Sequence, residues 1–300
     1  MGEVQFDSNQ IPSHWFEGSV VANGIQQHYY RTGGDHRSLL LLHGFTDNAL
    51  SWSRVARALE RDYDVIMLDA RGHGLSDGPE TGYSQDLLTQ DVVELIYTLA
   101  IKRPAIMGHS NGALTAASVA ANAPQLVSAV ILEDPPWSEA PASFPAAASG
   151  EEPWPGFTAW YNGWLAWHKA LRSQTAEERI ASSQHFLPPG AVNWPDEEMR
   201  NFLEGQAQFN LDVLNFVPFM PTRTPWRETV ARIECPILLL TGNPERGTMV
   251  TPEEAQKIAA VWHKGQHASF AGVGHFMHRE LRGEQFENFV NVVRSFLDEV

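Results

Sequence analysis

The stretch Met107-Gly108-His109-Ser110-Asn111-Gly112-Ala113 decides the fold. An apolar run, Ala105-Ile106-Met107, enters it, and a run of mostly small residues, Ala113-Leu114-Thr115-Ala116-Ala117, leaves it, so the segment reads as a strand, a sharp turn and a helix. That is the context of a Gly-x-Ser-x-Gly nucleophile elbow. Glycines at 108 and 112 suit it because strand and helix close on the turn with no room for Cβ atoms, while the serine backbone takes a strained conformation that holds the hydroxyl out. Glycine and serine are common residues, so the pattern gains its weight from what flanks it.

On the N-terminal side, Ser19-Val20-Val21-Ala22, Asn23-Gly24 and Ile25 to Tyr30 read as two strands about an Asn-Gly turn. The run Leu39 to Leu42, apolar on both faces and ending at His43-Gly44, reads as a central parallel strand. A helix over 49–62, the strand Asp64 to Leu68, a helix over Ser84 to Ala100, the elbow strand and its helix, and the strand Ala129 to Leu132 then alternate. Such alternation builds a mostly parallel sheet flanked by crossover helices. After Pro136 the rhythm breaks. Residues 137–224 carry helical patterns near 157–172, 175–185 and 196–215 but no clear strand, and seven of the ten tryptophans (137, 154, 160, 164, 167, 194 and 226) lie between 137 and 226. Strands resume at Pro236 to Gly242 and at His267 to Phe270, with a helix from Thr251 between them and an amphipathic helix from Glu284 to Val300. The chain therefore divides into an α/β core, 1–136 with 225–300, and a helical cap or lid, 137–224, roofing the crevice at the carboxyl ends of the strands, where ligands bind. Most of its aromatic residues pack the cap itself.

Composition narrows the partners. A net charge of -15 opposes a polyanion-binding surface, so nucleic acid is not expected. Cys235 is the single cysteine, which rules out an intrachain disulfide. It precedes Pro236 at the start of an apolar strand, where a packed, inert thiol is expected. The polar, acidic start Met1 to Asp7 lacks the pattern of a secretory signal, and no apolar run approaches the roughly 20 residues that span a bilayer. A cytoplasmic protein with no membrane partner is the expectation, and a homodimer is left open.

Taken in order, the hairpin, His43-Gly44-Phe45, Asp69-Ala70-Arg71-Gly72-His73-Gly74-Leu75-Ser76, the elbow, the insertion and Gly272-Val273-Gly274-His275 resemble the α/β-hydrolase family. The likeness covers nearly the whole chain, except the first dozen or so residues and the insertion. It implies the α/β-hydrolase fold and a Ser, His and acid set. Ser110 is the candidate nucleophile and needs a base, because a serine hydroxyl is too weakly acidic alone. His275, on a glycine-flanked loop after the last strand, can swing its ring towards the elbow, and the resemblance implies the same residue. An oxyanion hole needs one N-H from the residue after the nucleophile and one from the loop after an earlier strand. Those residues are Asn111 and Phe45. Asp69, Arg71 and His73 are expected to organise their own loop. His43, His109, Trp137 and Trp164 are candidates to line a substrate pocket.

The acid has competing positions. The commoner family arrangement puts it after the penultimate strand, where Gly242-Asn243-Pro244-Glu245 offers Glu245, although most relatives carry Asp there. A minority, including haloalkane dehalogenases, zearalenone lactone hydrolases and a succinate-derivative amide hydrolase, put it 24 residues beyond the nucleophile, which here is Asp134. Asp134 is favoured, Glu245 is the alternative, and Glu133 is the third position. His275 and His278 could mimic a metal pair, but no third ligand is near in sequence, so no metal and no cofactor is expected.

The resulting expectation is a serine hydrolase of the esterase or lactonase type, acting on a small or medium apolar or aromatic ester, lactone or related acyl bond. The resemblance excludes haloalkane dehalogenase and epoxide hydrolase chemistry, which uses an Asp at the elbow. It leaves two alternatives: a carbon-carbon bond hydrolase of aromatic degradation, and a hydrolase-derived receptor for a small molecule.

Overall fold

Strands β1 (Phe16–Ala22) and β2 (Ile25–Arg31) pair antiparallel about Asn23 and Gly24, both at positive φ (52° and 76°), as a tight hairpin turn requires. In this computed structural model residues 11–137, 156–188, 190–215 and 226–300 are described. Trp154, the acidic N-terminal stretch and the margins of the insertion lie outside them. Then come β3 (Arg37–Leu42), α1 (Ser53–Leu59), β4 (Tyr63–Leu68), α2 (Gln85–Thr98), β5 (Ala105–His109), α3 (Asn111–Asn122) and β6 (Ala129–Glu133). The insertion contributes α4 (Phe157–Leu171), α5 (Ala176–Ser183) and α6 (Asp196–Gln208). The chain closes with α7 (Trp226–Ala231), β7 (Ile237–Thr241), α8 (Pro252–Ala259), β8 (Gly265–Ser269), α9 (Met277–Glu280) and α10 (Gly283–Asp298).

The eight strands lie in the order β1-β2-β4-β3-β5-β6-β7-β8, parallel from β4 to β8 and antiparallel at the hairpin end. Alternation along β3 builds two cores. Leu39 and Leu41 pack with Val55, Leu59, Phe289 and Val293 of α1 and α10 on one face. Leu40 and Leu42 pack with Leu95, Ala116 and Ala120 of α2 and α3 on the other. Each fully buried leucine contributes roughly 1.5 to 3 kcal/mol of transfer free energy. Cys235 is buried, and that burial pushes its thiol up to about 11, consistent with an inert packing role.

Two helices differ from the sequence pattern. The segment expected as one helix over 49–62 is a 3-10 turn, Ala49–Trp52, followed by α1. The segment over 196–215 stops at Gln208 because Asn210 N-H turns away to Gly72 O (2.8 Å) and the Asn210 side chain accepts from Asp212 N-H (2.9 Å). A second 3-10 turn, Leu211–Asn215, follows. Within the insertion, α4, α5 and α6 gather Trp167, Leu171, Trp194, Phe202 and Leu203 into a separate apolar cluster. No helix among the described residues is long and apolar enough to cross a membrane.

Candidate active site

Ser110 sits between β5 and α3 at φ 51° and ψ -117°, a conformation that costs an L-residue of order 1–3 kcal/mol. The flanking glycines make it feasible. A Cβ on Gly108 would lie 2.2 Å from Gly112 O, and one on Gly112 would lie 2.2 Å from Leu42 O. Ser110 N-H continues the sheet ladder to Glu133 O (2.9 Å), which anchors the turn to β6. The backbone N-H groups of Phe45 and Asn111 donate to no group among the described residues. They remain available to a ligand.

His275 Nδ1-H donates to Asp134 Oδ2 at 2.6 Å. The Asp134 side chain is fully buried, while His275 is 16% exposed. Asp134 adopts φ 44° directly after β6, which turns its carboxylate towards the loop after β7. There Thr248 Oγ1-H (2.6 Å) and Val250 N-H (2.9 Å) donate to Oδ1, and Met249 N-H (2.7 Å) donates to Oδ2. With His275, four donors converge on this carboxylate. Glu245, the alternative acid, is exposed in a short turn whose N-H caps onto Asn243 Oδ1 (2.9 Å). Among the described residues it makes no hydrogen bond or ion pair to His275, so the structure brings His275 together with Asp134 and not with Glu245. Ser110 Oγ makes no hydrogen bond to His275 among the described residues, and in ligand-free sites this bond is often looser than in the substrate complex.

Glu133, the third acid position, forms a second pair beneath the first. Its Oε1 accepts His278 N-H (3.0 Å) and His278 Nδ1-H (2.8 Å), and the His278 ring stacks on Trp52 (4.4 Å). His109 Nε2-H donates to His275 O at 3.0 Å. The residue before Ser110 thus holds the main chain of His275, and Glu133 holds the same loop three residues further on. His109, Glu133 and His278 bring ligand-type atoms within 4.8 Å of one another. Glu133 Oε1 is engaged by two N-H groups of His278, which ties the loop, while Glu133 Oε2, His278 Nε2 and His109 Nδ1 are buried without a hydrogen-bond partner among the described residues.

Burial dominates this cluster's titration. It pushes the Glu133 carboxyl up to about 8 and holds His278 and His109 well below the usual histidine range. A carboxyl raised on folding binds more proton in the native chain, so its contribution is fully present below the unfolded value of 4.5 and is lost as pH rises through about 8. The lowered histidines act on the other side, losing stability as pH falls below 6.5. Glu133→Gln, isosteric with the protonated acid, is therefore expected to flatten the alkaline decline. Melting temperatures of the two proteins from about pH 6 to 9 should diverge, with the wild type falling further. Parallel curves would remove this assignment.

The remaining candidates have definite places. His43 Nδ1-H donates to Gly44 O (2.8 Å) and its Nε2 accepts Ala70 N-H (3.0 Å), so both nitrogens organise loops while the ring lines a small cavity with Arg71, His73 and Asn111. Asp69 accepts from Ala49 N-H (2.6 Å), Leu75 N-H (3.0 Å) and His28 Nδ1-H (2.8 Å), and Arg71 forks onto Asp91. Trp137 is buried in the second core, stacked 6.3 Å from Trp226, and faces the sheet helices. Trp164 joins Phe45 and Phe209 in one cluster, which sets it above the loop bearing the Phe45 N-H. Sequence reading missed Thr248, Met249 and Val250 as donors to Asp134. Two of the three act through backbone N-H, which any residue could supply.

A profile of the alpha/beta hydrolase fold matches residues 37–280. The chain belongs to the alpha/beta hydrolase fold family. Among curated proteins, N-formylmaleamate deformylase of Pseudomonas putida is 36% identical over 183 residues, which cover 61% of this chain and 61% of the relative. A 2-(acetamidomethylene)succinate hydrolase of Mesorhizobium japonicum is 38% identical over 104 residues, covering 35% of this chain and 37% of the relative. The alignments thus span less than two thirds of each curated relative. Among solved hydrolase structures, the N-formylmaleamic acid deformylase of Pseudomonas putida S16 superimposes with a TM-score of 0.74 at 24% identity, covering 93% of this chain and 100% of that one. The enol-lactonase of Burkholderia xenovorans LB400 superimposes with a TM-score of 0.64 at 20% identity, covering 94% and 100%. At these identities the superpositions establish a shared fold.

Proposed function

We propose that the protein is a serine hydrolase that cleaves a small or medium acyl bond, in an ester, lactone or N-acyl compound, through an acyl-enzyme. The observation that carries this reading is the 2.6 Å bond from His275 to the buried Asp134, together with a serine held at φ 51° on the elbow. Asp134 fixes the Nδ1-H tautomer, leaving the Nε2 lone pair free to accept a proton. Ser110 Oγ bonds to the carbonyl carbon as its proton passes to His275, and the carbonyl electron pair moves to oxygen, where the Phe45 and Asn111 N-H groups receive it. Collapse expels the alcohol or amine, which takes the proton from His275. Water, deprotonated by His275, then releases the acid. The names of the curated relatives support adding N-acyl bonds to the esters and lactones worth assaying.

The test is covalent labelling. An aryl phosphonate ester should transfer one phosphonyl group to Ser110, located by peptide mass spectrometry, and abolish turnover of p-nitrophenyl esters or N-formyl amides in proportion. Labelling elsewhere, or turnover that survives full labelling of Ser110, would overturn the reading.

A further inference from the structure

Among the described residues, the non-glycine residues at positive φ are Asn23, Thr46, Ala100, Arg103, Ser110 and Asp134. Asn23 serves the hairpin turn, Ala100 and Arg103 lie between α2 and β5, and Ser110 and Asp134 belong to the candidate site. Thr46 remains. A β-branched residue at φ 62° is a steric outlier that persists only where its surroundings hold it. It follows Phe45 directly.

A long turn bond from Asp47 N-H to Gly44 O (3.3 Å) closes over Thr46, and the second hold comes from the insertion. Gln206, buried on α6, donates from Nε2 to Thr46 O (2.8 Å) and to Thr46 Oγ1 (2.7 Å). A carbonyl can only accept, so the amide nitrogen must face Thr46 and Oε1 must face His168, whose Nε2-H donates to it at 2.9 Å. The next residues are held by the same helix. Arg279 forks onto both Asp47 oxygens (2.6 and 2.8 Å) while binding Glu198 Oε2 of α6 (2.9 Å), and Asn48 Nδ2-H donates to Gln208 Oε1 (2.9 Å). Gly205 lets the helix come this close, since a Cβ there would lie 3.1 Å from Asp47 C and Cα.

We propose that Gln206 is a positioning residue of the reaction, holding Thr46 in its strained conformation so that the Phe45 N-H stays aimed at the developing oxyanion. Helix α6 is then a fixed part of the oxyanion hole. The proposal rests on the serine hydrolase reading above. Released from Gln206, Thr46 keeps only the long turn bond from Asp47 N-H to Gly44 O (3.3 Å) and relaxes towards an ordinary backbone region. Because His43 on one side and Asp47 on the other remain tied, the rotation is taken up at Phe45. The interaction lost is one made with charge that exists only in the transition state, so kcat falls and KM does not.

Gln206→Met keeps the bulk and removes the donor. Expected are a kcat about ten- to a hundredfold lower on a p-nitrophenyl ester, an unchanged KM, and an aryl trifluoromethyl ketone that binds more weakly by the same factor as kcat/KM. That ketone forms a tetrahedral oxyanion on the serine, so its affinity reports the hole itself. Gly205→Ala, which presses on Asp47, should move the same quantities and serves if the first variant fails to fold. Unchanged kcat, or a fall in kcat with undiminished ketone affinity, overturns the proposal. Ser110→Ala in parallel separates the two readings. An active Ser110→Ala protein sinks the serine hydrolase assignment, whereas an inactive one beside a fully active Gln206→Met protein sinks only the role of Gln206.

Discussion

Ser110→Ala is expected to lower kcat by about 10⁶-fold, because removing the nucleophile also idles the base and the acid that serve it. The same residue makes a stability prediction that a bystander serine would not. At φ 51° and ψ -117° the Ser110 backbone holds of order 1–3 kcal/mol of strain, and alanine, with its Cβ, keeps it. Glycine relieves that strain and gives back roughly 0.5 to 1 kcal/mol through the greater freedom of the unfolded chain. Ser110→Gly should therefore be as inactive as Ser110→Ala yet more stable than it by about 1 kcal/mol, seen as a higher midpoint in urea. A glycine variant no more stable than the alanine one would mean that the elbow is not strained. The expected stability gain on removing the reactive group is the signature of a backbone held for function.

The features legible in the sequence were those written in steric or periodic rules. Gly108 and Gly112 could be read because a Cβ at either position collides with backbone, whatever the rest of the fold does. The leucines of β3 could be read because their alternation feeds two cores. Alternating strands and helices implied parallel strands but not their order, since placing β4 between β2 and β3 depends on crossover geometry rather than local pattern. Spacing left Asp134, Glu245 and Glu133 open. Which of them meets His275 depends on a positive φ at Asp134 and on backbone N-H groups of Met249 and Val250, and neither leaves a mark in residue type. The insertion was read through its tryptophans, whereas its polar contacts with the Phe45 loop run through Gln206, Gln208 and, by way of Arg279, Glu198, residues that a helical pattern assigns to the solvent face.

Asp134→Asn is expected to lower kcat by about 10⁴-fold, with Glu245→Gln remaining within about twofold of the wild type. The asymmetry follows from donor counting. Val250 N-H points at Oδ1, while Met249 N-H and His275 Nδ1-H point at Oδ2. An asparagine has one acceptor atom, so either orientation sets its NH2 group against a backbone N-H that can only donate. With the NH2 towards Val250, that N-H loses its partner in a buried site, at a cost of roughly 1–3 kcal/mol. With the NH2 towards His275, the imidazole must accept at Nδ1, which moves its proton to Nε2 and removes the lone pair that Ser110 needs. Both orientations also remove the negative charge that stabilises the imidazolium formed in the reaction, so the chemistry is impaired in either while the fold stays largely intact. The variant should thus show a lower melting temperature, sharply reduced turnover and slow phosphonate labelling of Ser110, since labelling needs the same proton transfer. Glu245, exposed and, among the described residues, hydrogen-bonded through its backbone N-H alone, has no such dependence. An Asp134→Asn protein within tenfold of the wild type, or a Glu245→Gln protein that loses several orders of magnitude, would move the acid to the loop after β7.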